Sequence, residues 1–185
     1  VVVSREKNLS ESNTIYAQGG IIYAAKEDDL LVEDIMTASA GTSNPLAAEI
    51  LKNRSGAILK EILLEKIQVP FSRQDSGELH LTREAAHSRA RIIHKDDCTG
   101  RAIEEAMLHY LTGRFPRLKF LSAHTAIDLL TPPHHGVKIQ QRYEAERVVG
   151  AYLFDQANCR VIKLMAKATI LASGGVGALY LHHTN

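Results

Sequence analysis

The fold class this sequence predicts is α/β, with an antiparallel insertion, and three observations predict it. The chain opens on Val1-Val2-Val3, a β-branched run with no polar face, as in a buried strand. Apolar residues then recur at helical spacing in three stretches up to Gly113. Beyond Pro116 the period shortens to two, and the chain returns through a hairpin to a second apolar run at 168–172.

Residues 5–12 are charged and polar and read as a loop; Ile21-Ile22-Tyr23-Ala24 resumes an extended pattern. Asp28 opens a helix whose Leu31, Ile35, Ala38 and Ser39 share one face, with Gly41 as its C-cap. Asn44-Pro45 starts the next helix, because Asn accepts from an orphan N–H where Pro has none to lose. Leu51, Ile58 and Ile62 give that helix its apolar stripe, and Val69-Pro70-Phe71 ends it. Residues 72–97 read as a polar loop. Thr99 caps a third helix built on Ile103, Ala106, Met107, Tyr110 and Leu111, closed by Gly113.

Leu121, Ala123, Thr125, Ile127 and Leu129 alternate with Ser122, His124, Ala126 and Asp128 as in a half-buried strand. A short edge strand is expected at 137–140. A hairpin folds 148–154 onto 161–165 around Asp155-Gln156-Ala157-Asn158. A last strand at 168–172 runs into Gly174-Gly175-Val176-Gly177 and a helix start.

Composition excludes several functions. Lys plus Arg number 22 and Asp plus Glu 21, a net charge of +1, so charge makes no case for a nucleic-acid or membrane partner. No stretch has the uncharged apolar length of a membrane span. Two cysteines, Cys98 and Cys159, are too few for a disulfide framework and suit a reducing compartment, so a cytoplasmic protein is expected. Nine His include the pairs His134-His135 and His182-His183, and His87, His94 and Asp97 can be grouped, but none has a zinc-like spacing and no metal is expected.

Two stretches invite a ligand. Ser12 to Gly20 is a polar segment ending in paired glycines between two extended runs, which suits a main chain that must approach a large flat ligand; an ordinary loop explains it too. Ser173-Gly174-Gly175 follows an apolar run and serves equally as a turn requiring positive φ or as backbone packed on a cofactor. The strand, G-x-G-x-x-G, helix fingerprint of dinucleotide folds is absent, since Tyr180 stands where the third glycine after Gly175-Val176-Gly177 belongs.

SNTIYAQGGI at 12–21, LTREAAHSRARIIHKDDCTGR at 81–101 and ATILASGGVGALYLHHTN at 168–185 together resemble the succinate dehydrogenase and fumarate reductase flavoprotein superfamily, most closely its soluble L-aspartate oxidase branch. The resemblance runs the length of this chain but covers only the middle of the family's. It implies an incomplete Rossmann-like FAD-binding domain with helical segments and an antiparallel β-meander insertion, without the N-terminal fingerprint or the capping and C-terminal helical domains. Val1 to Val3 would be the second strand of the Rossmann unit.

Carried over position by position, the resemblance implies flavin contacts at Asn13, Thr14, Ile15, Tyr16, Ala17, Gln18, Gly19 and Gly20, and at Ser173, Gly174 and Gly175. The membrane-bound relatives place a covalently attached His where this chain has Asn13, so FAD is expected to be non-covalent. Glu84, in the counterpart of the family's TREGGHS, would orient the substrate's ammonium, with Ala85-Ala86 replacing Gly-Gly. A carboxylate there attracts an amino acid and repels a plain dicarboxylate. Of Arg83, Arg89, Arg91 and Arg101, one or two are read as meeting substrate carboxylates or the FAD pyrophosphate and most as surface charge. Thr99-Gly100 at a helix start offers backbone donors to the cofactor or a plain cap.

The implied reaction is oxidation of L-aspartate to iminosuccinate, with O2 or fumarate as acceptor, feeding quinolinate synthase in NAD biosynthesis. The family's catalytic Arg falls outside these residues, so residues 1–185 alone are expected to be inactive. The alternatives are a soluble fumarate reductase or succinate dehydrogenase-like flavoprotein and a non-catalytic flavin-binding module.

Overall fold

The computed structural model describes residues 1–24, 28–175 and 177–182. In chain order its main elements are β1 (Val2–Val3), β2 (Ile21–Ile22), α1 (Leu30–Ala38), α2 (Pro45–Leu59), β3 (Leu81–Thr82), β4 (Ile92–Ile93), α3 (Thr99–Arg114), β5 (Phe120–Leu121), β6 (His124–Leu130), β7 (Gly150–Asp155) and β8 (Arg160–Met165). They form two compact units, one of residues 14–115 and the other of 1–13 with 116–185.

In the unit of residues 14–115, Leu63, Val69, Phe71 and Ile93 make the core, with Ile21, Tyr23, Leu59 and Ile103 packed against it. Burying each large side chain contributes roughly 1.5–3 kcal/mol. β4 lies between β2 and β3, antiparallel to both, with Ile93 opposite Ile21 and Leu81. The 72–97 stretch is therefore not all loop. Its strands are two residues long and paired across distant sequence, so no local period betrays them.

The Asn44 side chain does cap α2, accepting from Leu46 N at 2.9 Å. Past Leu59 the helix widens into a π-type turn over Lys60–Lys66, with Ile67 N donating to Ile62 O at 2.9 Å. The predicted stripe faces the wrong way. Leu51, Ile58 and Ile62 are exposed, while Ala48 and Leu63 are buried. A Cβ on Gly56 would fall 2.3 Å from Ala24 O, so small residues let α2 approach by its backbone. On α1, Leu31 is buried as expected, and the chain turns left-handed through Ala40 and Gly41. α3 packs Ala102, Ile103 and Ala106 on the core and runs one residue past Gly113, leaving Met107 exposed.

In the other unit β1 runs parallel to β5, Val2 opposite Phe120 and Val3 opposite Leu121. This parallel pairing is what a strand of a doubly wound unit requires. β6, β7 and β8 form an antiparallel meander in that order, with the expected hairpin between the last two. The strand predicted from Leu121 to Leu129 is broken at its start. Ala123 adopts φ 54° and is buried, and a bulge between Ala126 and Asp128 leaves Ile127 55% exposed, so the two-residue alternation does not hold.

Two strand expectations fail. Residues 139–143 close into a 3-10 turn, with Gln141 N donating to Lys138 O at 3.0 Å and its side chain accepting from Lys138 N at 2.9 Å. Local bonds thus satisfy the backbone that an edge strand would leave open. At 168–172 no strand is paired among the described residues, and Ile170 and Leu171 are exposed. The helix start beyond is a 3-10 turn, Gly177–Leu179; Val176 and His183 to Asn185 lie outside the described residues.

Candidate functional site

The first predicted stretch forms a single turn, Thr14–Tyr16, closed by Ala17 N donating to Thr14 O at 3.0 Å. The start of α3 is pressed against it. A Cβ on Gly100 would meet Thr14 O at 1.8 Å and the Ala17 Cβ at 2.8 Å, so glycine is a steric requirement there. Gly100 N donates to Ala17 O at 2.9 Å. That N–H is spent on holding the turn rather than offered to a ligand. Nor does Thr99 cap the helix: the N-cap is Cys98, and the buried Thr99 hydroxyl accepts from Lys95 N at 2.9 Å.

Gly19 and Gly20 are glycines for different reasons. On Gly20 a Cβ would lie 2.2 Å from Ile92 Cγ2 and 2.5 Å from Ile93 O, which lets the chain enter β2 flush against β4. On Gly19 a Cβ would find Glu84 at ordinary contact distance, 3.6 Å from Oε2. The protein itself leaves room for a side chain there, and residues 16–19 are exposed. An exposed turn backed by α3 and leading into β2 fits a flat cofactor laid along it.

Glu84 stands beside this turn, its Oε1 accepting from Gly20 N at 3.1 Å. It sits at the head of a tight loop in which His87 N donates to Glu84 O at 3.2 Å. Ala86, one of the two alanines standing in for glycines, adopts φ 66°. A left-handed alanine costs roughly 1–2 kcal/mol, which glycine avoids at some entropic expense. Ala86→Gly should therefore raise the unfolding free energy by about 1 kcal/mol; unchanged or lower stability on urea denaturation would contradict the strain.

The loop is anchored by a charge network that sequence reading missed. Arg91, 2% exposed, clamps Asp28 through Nε to Oδ2 at 2.6 Å and Nη2 to Oδ1 at 3.2 Å, and reaches Asp34 Oδ2 through Nη1 at 2.5 Å. Asp34 Oδ2 also accepts from the backbone and hydroxyl of Ser88 at 2.9 and 2.8 Å. Arg91 is thus neither surface charge nor available to a substrate. Arg91 Nη1 also lies 2.9 Å from His87 Nδ1. Arg83 donates to His87 O at 2.8 Å within the same loop.

The Ser88 backbone N–H and then the Arg91 side chain hold the Asp34 carboxyl well below its ordinary 3.8, against the opposing effect of burial. Depression in the folded state means that ionised Asp34 stabilises the fold above the unfolded value, and that this contribution fades as pH falls below about 4 toward the folded value. Unfolding free energy should decline over that window, and Asp34→Asn should flatten the decline; an identical slope in the variant would contradict the linkage.

Of the remaining predicted contacts, Asn13 is exposed, as are Ser173, Gly174 and Gly175, with Gly174 at φ 74°. They belong to the unit of residues 1–13 and 116–185. A cavity of about 530 Å³ within the unit of residues 14–115 is lined by Tyr23, Ala57, Lys60, Arg89 and Arg91 among others, and includes neither Glu84 nor any of the flavin contacts expected at 13–20 and 173–175. Among the described residues no three His, Cys, Asp or Glu gather as a metal ligand set, and no helix is long and apolar enough to cross a membrane.

Comparison with known proteins identifies the family. The family model described as FAD binding domain matches residues 1–185. L-aspartate oxidase of Pseudomonas aeruginosa is 32% identical over 195 residues, all of this chain and 35% of that protein. The Bacillus subtilis L-aspartate oxidase is 35% identical over 190 residues, all of this chain and 32% of that protein. The chain thus spans about a third of the length of the curated relatives it matches. Among solved structures, an Sdh1 complex of Mycobacterium smegmatis superposes with a TM-score of 0.77 at 19% identity, over 95% of this chain and 30% of that one. A quinol-fumarate reductase with menaquinol gives 0.78 at 20% identity, over 99% and 30%. The chain belongs to the FAD binding domain family, with FAD as its cofactor, and is similar in sequence to L-aspartate oxidases and in fold to the flavoproteins of succinate dehydrogenase and fumarate reductase.

Proposed function

We propose that this domain serves an enzyme that oxidises L-aspartate to iminosuccinate, with O2 or fumarate taking up the electrons, as the first step of NAD biosynthesis with quinolinate synthase as consumer of the product. The observation that carries the reading is the Glu84 carboxylate set against Gly19-Gly20. FAD, when bound, supplies the two-electron oxidation; the chain supplies placement and electrostatics.

Residues 14–20 would hold the cofactor by main chain; Asn13 and Ser173 to Gly175, which belong to the other unit, are each proposed as flavin contacts from the family resemblance. Asn13 bears an amide, whose nitrogen is too weak a nucleophile to bond to the flavin, so the cofactor would be held without a covalent bond. Glu84 is the anion beside that surface. Its negative charge favours the ammonium of aspartate through a charge-assisted hydrogen bond and disfavours a dicarboxylate lacking it.

The test is anaerobic addition of L-aspartate to the natural-length yellow protein. Bleaching of the flavin is expected, and unchanged colour at full FAD occupancy rejects the reading. A fumarate reductase is the second reading, favoured by the likeness to quinol-fumarate reductase. It requires reoxidation by fumarate with no reduction by aspartate.

A further inference from the structure

We propose that Asp34, on α1, is a positioning residue for Glu84: it latches Ser88 and thereby sets where the loop of residues 83–88 holds that carboxylate. The inference rests on the reading of Glu84 as the anion that meets the substrate, and adds a residue on another element on which that role depends.

Strands β3 and β4 bracket the loop with only two residue pairs, Leu81 opposite Ile93 and Thr82 opposite Ile92. Two pairs are too few to fix the long connection between them. Within it, His87 N donates to Glu84 O at 3.2 Å and Arg83 Nε to His87 O at 2.8 Å, so residues 83–87 close on themselves. Glu84 Oε1 meets Gly20 N and His87 meets Arg91, but the main chain is tied at the next residue. The backbone N–H and hydroxyl of Ser88 donate to Asp34 Oδ2 at 2.9 and 2.8 Å, across 54 residues of sequence. The same oxygen accepts from Arg91 Nη1, on the guanidinium that Asp28 also clamps. α1 is a firm post, since Leu31, one turn before Asp34, is 1% exposed. An ionised acceptor strengthens each of these bonds. Weakening them frees the loop, so Glu84 spends less time where a substrate can use it, and apparent affinity falls by that fraction.

The test compares wild type, Ser88→Ala, Ser88→Thr, Asp34→Asn, Glu84→Gln and the double variant Ser88→Ala with Glu84→Gln, each in the natural-length protein with FAD bound. Anaerobic flavin reduction is followed against L-aspartate concentration, and amide hydrogen exchange over residues 83–88 reports the latch without turnover. Ser88→Ala should raise half-saturating L-aspartate about fivefold and Asp34→Asn about tenfold, with saturated rates and FAD affinities within about twofold of wild type. Ser88→Thr keeps the hydroxyl and should behave as wild type. Exchange over 83–88 should quicken in Ser88→Ala and Asp34→Asn while the amides of β2 and β4 stay protected. In Glu84→Gln, adding Ser88→Ala should change the L-aspartate dependence no further, because the latch acts through the missing carboxylate. Should Asp34→Asn not fold, Ser88→Ala decides alone.

Unchanged L-aspartate dependence or unchanged exchange in Ser88→Ala overturns the positioning role and leaves the aspartate reading standing. So does a loss that multiplies with that of Glu84→Gln, or an equal fall in FAD affinity, either of which marks a merely structural bond. A wild type whose flavin L-aspartate does not bleach defeats the aspartate reading, and the role given to Asp34 falls with it.

Discussion

Arg91→Ala is expected to lower the unfolding free energy by about 3–5 kcal/mol, because it strands two carboxylates that have given up water for one guanidinium. Arg91, Asp28 and Asp34 side chains are 3%, 8% and 13% exposed, so solvent cannot screen the charges left behind. Attraction between the partners is offset by their desolvation, so the loss measures orphaned charge rather than the worth of the pair. A triple variant, Arg91→Leu with Asp28→Asn and Asp34→Asn, should therefore recover much of what the single change loses. Urea denaturation followed by circular dichroism gives both numbers. A shift below about 1 kcal/mol for Arg91→Ala would show that the network is solvated and not structural.

Gly100→Ala should cost about 2–3 kcal/mol and weaken FAD binding as well. A methyl 1.8 Å from Thr14 O cannot be accommodated by rotamer change, since the obstacle is main chain. Either α3 or the Thr14–Tyr16 turn must move, and the turn carries the proposed flavin contacts. Gly113 supplies an internal control on the same helix: nothing lies within 4 Å of its added Cβ, so Gly113→Ala should gain up to about 1 kcal/mol from helix propensity. Thermal melting and FAD titration of both variants decide the matter, and equal behaviour of the two would refute the steric account.

The proposed ligand segment rests on the sequence and its family resemblance. SNTIYAQGGI suits an approach of backbone to a flat ligand, and an ordinary loop explains paired glycines between extended runs equally. Glu84 stood out as a carboxylate in a motif that the chain shares with aspartate oxidases. What could not be read was that Glu84 bonds to Gly20, since nothing local relates positions 64 residues apart. Arg91 was harder still: among the arginines of 83–101 nothing in the sequence distinguishes the buried one, whose partners lie 57 and 63 residues away.

The helices show the same division. Asn44-Pro45 determined where α2 starts, because a cap is made by neighbours in sequence. Which face of α2 is buried was decided by what packs against it, and Gly56 against Ala24 outweighed the visible stripe of Leu51, Ile58 and Ile62. The hairpin of β7 and β8 was readable because both strands and their turn are contiguous. β2 was readable as an extended run at 21–24, whereas the two-residue strands β3 and β4 became strands only on pairing with distant chain. By itself, then, the order of residues determined what local bonding can enforce: the Asn44 cap, the turns and the hairpin. Tertiary structure alone decided the pairings across long separations, because burial and charge neutralisation depend on which distant surfaces meet.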